Sequence, residues 1–323
     1  MNRPAHISLL AASYKLKLLR PLNPPFQFSI EPTNVCNFKC VFCPQSGFDH
    51  RSNRKRGYLT LENMRSFLSQ IREIRPGNRN VSLTLDGEPT LNNDLPEFIR
   101  MINAEGLMPR FSSNARMLTP DLIERLAVSG RFLVSVDFAD KAASFENIRG
   151  REGDFGIVLG NLRHLVEVAG KNRKIQIEIV NISHFSGADP DQSLSDMQTL
   201  FPKNLPENIA FRSREFHNFC GHLEKRPGAA YKLCPYPWTS FNVTWEGDVV
   251  PCCRDTQAKT VLGNVLNDSI MDIWHGEKYQ SLRNALIKKD TDHIEACKHC
   301  DLPWSSGSKR WGLKYMFSSL IRR

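Results

Sequence analysis

Between residues 26 and 212, short runs of apolar and β-branched residues alternate with longer segments whose apolar positions recur every three to four residues. This alternation predicts a parallel α/β sheet, because strands covered on both faces read as apolar runs and crossover helices read as amphipathic stretches. The runs are FQFSIEP (26–32), NVSLTLD (80–86), MPRFSSN (108–114), RFLVSVD (131–137), KIQIEIVNI (174–182) and NIAFRSR (208–214). Thr119 followed by Pro120 marks a helix start, as do Thr60 before LENMRSFLSQI and Asn93 before DLPEFIRMI. Six such units suit a partial (β/α)6 TIM-like barrel, in which functional loops gather at the C-terminal ends of the strands.

After residue 215 the alternation stops. The stretch 234–305 holds Cys234, Cys252, Cys253, Cys297 and Cys300 together with short strand-like runs such as SFNVTWEGDVV, where EGD reads as a hairpin turn. The expected organisation is an N-terminal extension (1–25), a barrel (26–215), a small metal-supported domain (216–305) and a basic tail (306–323).

Composition adds modest constraints. With 41% hydrophobic and 24% charged residues among 323, the chain reads as an ordinary folded protein. The N-terminus is too short and too broken by Tyr14, Lys15 and Lys17 to span a membrane, so a cytoplasmic location is expected. Nine cysteines there would stay reduced and serve metals rather than bridges. The net charge of +9 is spread out apart from RSNRKR (51–56) and the tail KRWGLKYMFSSLIRR. No aromatic-interleaved motif accompanies these runs, which argues against a nucleic-acid partner. The tail could lie on a membrane surface, but packing against the body of the protein is the preferred reading.

The chemistry starts at Cys36, Cys40 and Cys43, three thiols within eight residues directly after the first expected strand. That spacing lets one loop wrap three corners of a [4Fe–4S] cubane and leave the fourth iron open; a zinc site completed by a distant residue such as His50 is the alternative. Cys-x3-Cys-x2-Cys with Phe42 beside the last cysteine, at the start of a βα repeat, resembles the radical S-adenosylmethionine (radical SAM) superfamily. LDGEPTL after the second strand is similar to that family's Gly-Gly-Glu-Pro element, with Asp86 in place of the first glycine and Gly87, Glu88 and Pro89 retained. SSNA, with Ser112 and Asn114, resembles its Thr-Asn-Gly element; Ser135 and Asp137 of VSVD and Arg149 of FENIRG resemble its further SAM contacts. The resemblance implies that these ten residues, Phe42 through Arg149, bind SAM, with Glu88 and backbone carbonyls beside the methionine ammonium. It implies also that SAM is cleaved to a 5′-deoxyadenosyl radical that takes hydrogen from a substrate.

The second cysteine set resembles a shortened SPASM, or twitch, domain. There Cys234, Cys252, Cys297 and Cys300 would hold one auxiliary [4Fe–4S] cluster, two clusters in all, while four-cysteine zinc is the physical alternative. Gly247-x4-Cys252 selects Cys252 over its neighbour, leaving Cys253 and Cys220 as free thiols. Either is a candidate hydrogen donor in an epimerisation, or a small buried hydrophobe. Arg212, Arg214, Glu215 and His217 follow the sixth strand and are candidate substrate contacts. Among twitch-bearing members the pattern resembles the 2-deoxy-scyllo-inosamine dehydrogenases. The expected function is therefore radical dehydrogenation of a sugar, cyclitol or related alcohol, with a flavodoxin or ferredoxin as electron donor. A radical epimerase, a peptide maturase and a zinc-stabilised binding module are the alternatives.

Overall fold

A computed structural model of the chain describes residues 3–46, 54–213, 218–223 and 231–304. Its strands are β1 (Gln27–Ile30), β2 (Asn80–Ser82), β3 (Met108–Ser113), β4 (Phe132–Phe138), β5 (Ile175–Asn181), β6 (Ile209–Ser213), β7 (Ser240–Val243), β8 (Asp248–Val250) and β9 (Gly263–Asn264). Two compact units are present, one of Met1–Ile30, Glu62–Asn80 and His217–Arg323, the other of Glu31–Leu61 and Val81–Phe216.

The second unit is α/β, with strand order β6-β5-β4-β3-β2 and parallel pairing from β3 to β6. Alternation along the strands sorts its faces. Phe132, Val134, Val136 and Phe138 of β4 and Ile175, Ile177 and Ile179 of β5 are buried. Ser135 and Asp137, and Gln176 and Glu178, occupy the alternate positions. The helix Asp154–Lys171 buries Val158, Leu162, Leu165 and Ala169, an i, i+4, i+7, i+11 stripe. Each such aliphatic side chain stabilises by roughly 1.5–3 kcal/mol when fully buried.

Local signals explain several boundaries. Thr119 Oγ1 accepts from Leu122 N at 3.4 Å, with Pro120 at the first helical position of Pro120–Ala127. The expected cap at Asn93 is shifted. The helix is Leu95–Ala104, Asp94 takes the cap position without a side-chain bond, and the turn is set by Asn92. Asn92 Oδ1 accepts from Asp94 N at 2.9 Å, while its Nδ2 donates to Pro32 O and Leu59 O at 2.8 and 3.0 Å. Those long-range bonds override the local cap preference.

In the first unit β1 runs parallel to β7, and β7, β8 and β9 pair antiparallel. The turn between β7 and β8 closes with Gly247 N donating to Thr244 O at 3.0 Å. Gly247 sits at φ +88°, and a Cβ there would stand 2.8 Å from Asn264 Oδ1, so the expected EGD turn needs its glycine. Arg283 is the unit's most heavily committed buried cation. Its Nε donates to Pro237 O at 2.9 Å and its Nη1 to Leu19 O and Trp274 O at 2.8 Å, between the rings of Trp274 and Tyr279 at 4.5 and 4.7 Å. Arg283→Ala is expected to destabilise by about 3–5 kcal/mol in urea unfolding, since it strips three buried carbonyls of their donor and empties a full side-chain volume. No helix among the described residues is long and apolar enough to cross a membrane.

Candidate functional site

The cysteine loop is held by protein hydrogen bonds along its length. Lys39 N and Val41 N donate to Arg149 O and Ile148 O at 3.2 and 2.9 Å, so the loop is tied to the C-terminal carbonyls of the helix Ala142–Arg149. Cys43 N donates to Cys40 O at 3.0 Å and Ser46 N to Cys43 O at 3.0 Å. Gly150 permits the close approach. It lies at φ +64°, and a Cβ there would stand 2.7 Å from Lys39 O. Burial, with Glu88 next, pushes the Cys36 thiol up to about 12, and burial followed by Asp86 raises Cys43. Thiols so placed keep their protons until a metal displaces them.

The LDGEPTL stretch closes on the same loop. Glu88 N donates to Val35 O at 2.8 Å. The Glu88 carboxylate is consumed internally: Oε1 accepts from Thr90 N (3.2 Å), Thr90 Oγ1 (2.6 Å) and Ser113 Oγ (2.8 Å), and Oε2 from Asn114 N (2.7 Å). The structure makes it a rivet between the second-strand loop and the end of β3, because saturation by donors is what keeps a carboxylate buried this deeply tolerable. Gly87, at φ +67°, faces the backbone of residues 33–35, and Pro89 opens the short helix Pro89–Leu91 that Glu88 caps. Asp86 behaves differently. It is buried, its Oδ2 has no partner among the described residues, and burial, followed by Glu31, raises its carboxyl to about 7.

The remaining candidates divide. Asn114 Nδ2 donates to Asn37 Oδ1 at 2.7 Å and lies 4.0 Å from Cys36 Sγ, against the cysteine loop. Ser112 donates its N–H to Thr84 Oγ1 at 2.8 Å, whereas its neighbour Ser113 binds Glu88, a role that alternation along β3 could have indicated. Ser135 Oγ donates to Glu178 Oε2 at 2.9 Å. Asp137 O accepts from Arg149 Nη2, and Arg149 Nη1 donates to Cys40 Sγ at 3.2 Å, so the guanidinium braces the cysteine loop. It lies among the rings of Phe38, Phe42 and Phe145. Phe42 stacks on Phe185 at 4.5 Å. Arg212 is on β6, while Arg214, Glu215 and His217, together with His50, lie outside the described residues.

In the other unit, Cys234, Cys252, Cys297 and Cys300 line one small cavity whose remaining wall is mostly proline and aliphatic carbon. The turn Cys297–Cys300 closes with Cys300 N donating to Cys297 O at 3.1 Å. Cys253 does not line the cavity; burial, with Cys252 next, raises its thiol to about 11. Cys220 is a buried free thiol placed near Cys252 and Cys300, which raise it above its ordinary range. The agent is Asn218, whose N–H reaches Asp301 Oδ2 at 3.2 Å and whose Nδ2 reaches His299 O at 2.7 Å. Among the described residues no three His, Cys, Asp or Glu side chains converge tightly enough for one ion.

Residues 30–197 match the Radical SAM superfamily, and residues 234–301 match the SPASM iron–sulfur cluster-binding domain. The chain belongs to the radical SAM superfamily. Its cofactors are accordingly SAM and [4Fe–4S] clusters. The S-adenosyl-L-methionine-dependent 2-deoxy-scyllo-inosamine dehydrogenase of Niallia circulans is 24% identical over 277 residues, 84% of this chain and 91% of its own. Mycofactocin maturase MftC of Mycolicibacterium smegmatis is 22% identical over 315 residues, 86% and 78% of the two chains. The crystal structure of BtrN with AdoMet and 2-DOIA shares the fold at TM-score 0.56 and 19% identity, covering 86% of this chain and 93% of that one. Native anSMEcpe with bound AdoMet does so at TM-score 0.59 and 17% identity, covering 92% and 98%.

The residues fit these radical SAM cofactors. Three thiols on a loop already ordered suit three cluster corners, and the orphaned acceptor of Asp86 beside them suits an ammonium. Cys252→Ala is expected to halve the iron of the reconstituted protein and Cys253→Ala to leave it unchanged, measured by iron assay and Mössbauer spectroscopy.

Proposed function

We propose that the protein is a SAM-dependent radical oxidoreductase that removes hydrogen from a carbinol carbon of a sugar, cyclitol or related alcohol. The observation that carries this reading is the likeness to the Niallia circulans dehydrogenase, which spans 84% of this chain and 91% of that one, in a chain that also matches the SPASM cluster-binding domain. Cys36, Cys40 and Cys43 would hold the first cluster, beside which SAM would bind. Asp86 and the backbone of Gly87–Pro89 receive the methionine ammonium, and Asn114, Ser135 and Asp137 face the rest of SAM. Arg149 holds Cys40 and the end of β4 at fixed separation. Cys234, Cys252, Cys297 and Cys300 hold the auxiliary cluster. Bound in this way, the cofactors supply the electron and the 5′-deoxyadenosyl radical that begin the reaction. The chain's part is to fix the carbinol hydrogen against that radical and to keep water out.

A small electron-transfer protein such as a flavodoxin or ferredoxin supplies the electron, in the reducing cytoplasm that keeps nine thiols free. An epimerase would need a thiol able to donate hydrogen, and Cys220 and Cys253 are the two that this ligand assignment leaves over. The test is to run the reductively activated enzyme on candidate alcohols in deuterium oxide. A ketone with two hydrogens lost supports dehydrogenation; product with the same mass plus one solvent deuterium at carbon would refute it in favour of epimerisation.

A further inference from the structure

Parallel strands covered on both faces normally carry aliphatic side chains inward, and the buried face of β4 and β5 does. The opposite face of the same unit carries Arg110 and Ser112 on β3, Ser135 and Asp137 on β4, Glu178 on β5 and Arg212 on β6. Ser112, Ser135 and Glu178 are aligned in register across three strands, and Arg212 lies opposite Val180, two positions beyond Glu178. A closed core does not tolerate such a row. The side chains of Arg110, Glu178 and Arg212 keep 40%, 24% and 57% of their exposure, so this face borders open space.

Glu178 is the hub. Oε2 accepts from Ser135 Oγ at 2.9 Å and lies 3.9 Å from Arg110 Nη2, and Oε1 lies 3.8 Å from Arg212 Nε. Ser135 therefore fixes the carboxylate, while both guanidiniums sit about 1 Å beyond the roughly 2.8 Å of a formed charge-assisted bond. Each retains most of its five N–H donors. Two guanidiniums and one carboxylate leave a single positive charge; beside them Asp137 and Arg149 add one charge of each sign. The row lies one strand step from the cysteine loop, since Asp137, two residues beyond Ser135, gives its carbonyl to the same Arg149 that contacts Cys40.

We propose that Arg110 and Arg212, spaced by Glu178, bind a carboxylate of the substrate, so that the alcohol oxidised is a hydroxy acid of the sugar-acid type. The assignment rests on the dehydrogenase reading above and narrows its substrate. A monoanion neutralises the row and offers planar oxygens to both forks. A phosphate monoester, carrying nearly two charges, would overcompensate beside Glu178.

The experiment uses the reconstituted enzyme with SAM and no reductant, and measures binding of glucuronate, glucose and glucose 6-phosphate by titration calorimetry. Glucuronate is expected to bind at least about tenfold more tightly than either, with Arg110→Gln and Arg212→Gln each weakening it by about tenfold and Glu178→Gln tightening it a few-fold. Glucuronate binding no better than glucose, tighter binding of glucose 6-phosphate, or no binding at all overturns the proposal on the wild-type protein alone, whatever the variants do to folding. Addition of reductant to the wild type then tests the underlying reading separately. 5′-Deoxyadenosine without carboxylate discrimination sinks this inference only, and discrimination without 5′-deoxyadenosine sinks the radical reaction only.

Discussion

Replacing Cys36 by alanine is expected to abolish 5′-deoxyadenosine formation and to lower the iron of the reconstituted protein from about eight to about four atoms per chain. Cys36 contributes little to the fold: it is only part-buried, and the hydrogen-bonded turn in its loop runs through the backbone of Cys40 and Cys43. Its removal therefore subtracts a ligand while leaving the loop in place. Loss of one of three corners should reduce SAM cleavage by well over a hundredfold, more than the change usually seen when only a supporting residue is lost. Unfolding temperature should move little. Retention of full iron and of SAM cleavage in this variant would sink the assignment of the first cluster.

Gly87→Ala is expected to be the most damaging substitution of a non-ligand. An L-residue at φ +67° costs about 1–2 kcal/mol on its own. The new Cβ would also collide with Thr33 O, and would stand 2.8 Å from Val35 O and 2.9 Å from Asn34 Cα. All are backbone atoms that cannot swing aside. Relief requires moving the loop, which breaks the 2.8 Å bond from Glu88 N to Val35 O and drags the Glu88 carboxylate from its four donors. A loss of about 3 kcal/mol or more in urea unfolding follows, together with loss of SAM binding by calorimetry. Gly106→Ala is the control. Gly106 has a similar φ of +70° but nothing within 4 Å of the new carbon, so about 1 kcal/mol is expected. Equal effects at the two positions would show that conformational strain alone, and not the close approach, matters at Gly87.

β4 and β5 were legible because a buried face writes itself as apolar residues at alternate positions, and FLVSVD and IQIEIV match them to within a residue at each end. Of the adjacent pair, Cys252 lines the cavity with Cys234, Cys297 and Cys300. What was hidden is long-range polar traffic. Nothing near Glu88 announces Ser113, twenty-five positions away, as its donor, and nothing in FENIRG says that Arg149 reaches Cys40. Cys220 was equally opaque, because its place depends on Asn218 gripping residues 299–301 from across the chain. Hydrogen bonds between distant segments have no period, so pattern reading has no purchase on them.

The bonds from Lys39 and Val41 to the end of the helix Ala142–Arg149 have a consequence for biogenesis. They join peptide groups only, and need neither iron nor sulfide to form. Polypeptide folding can thus precede metal delivery at this site, and a donor would meet a rigid receptor rather than a coil to be organised.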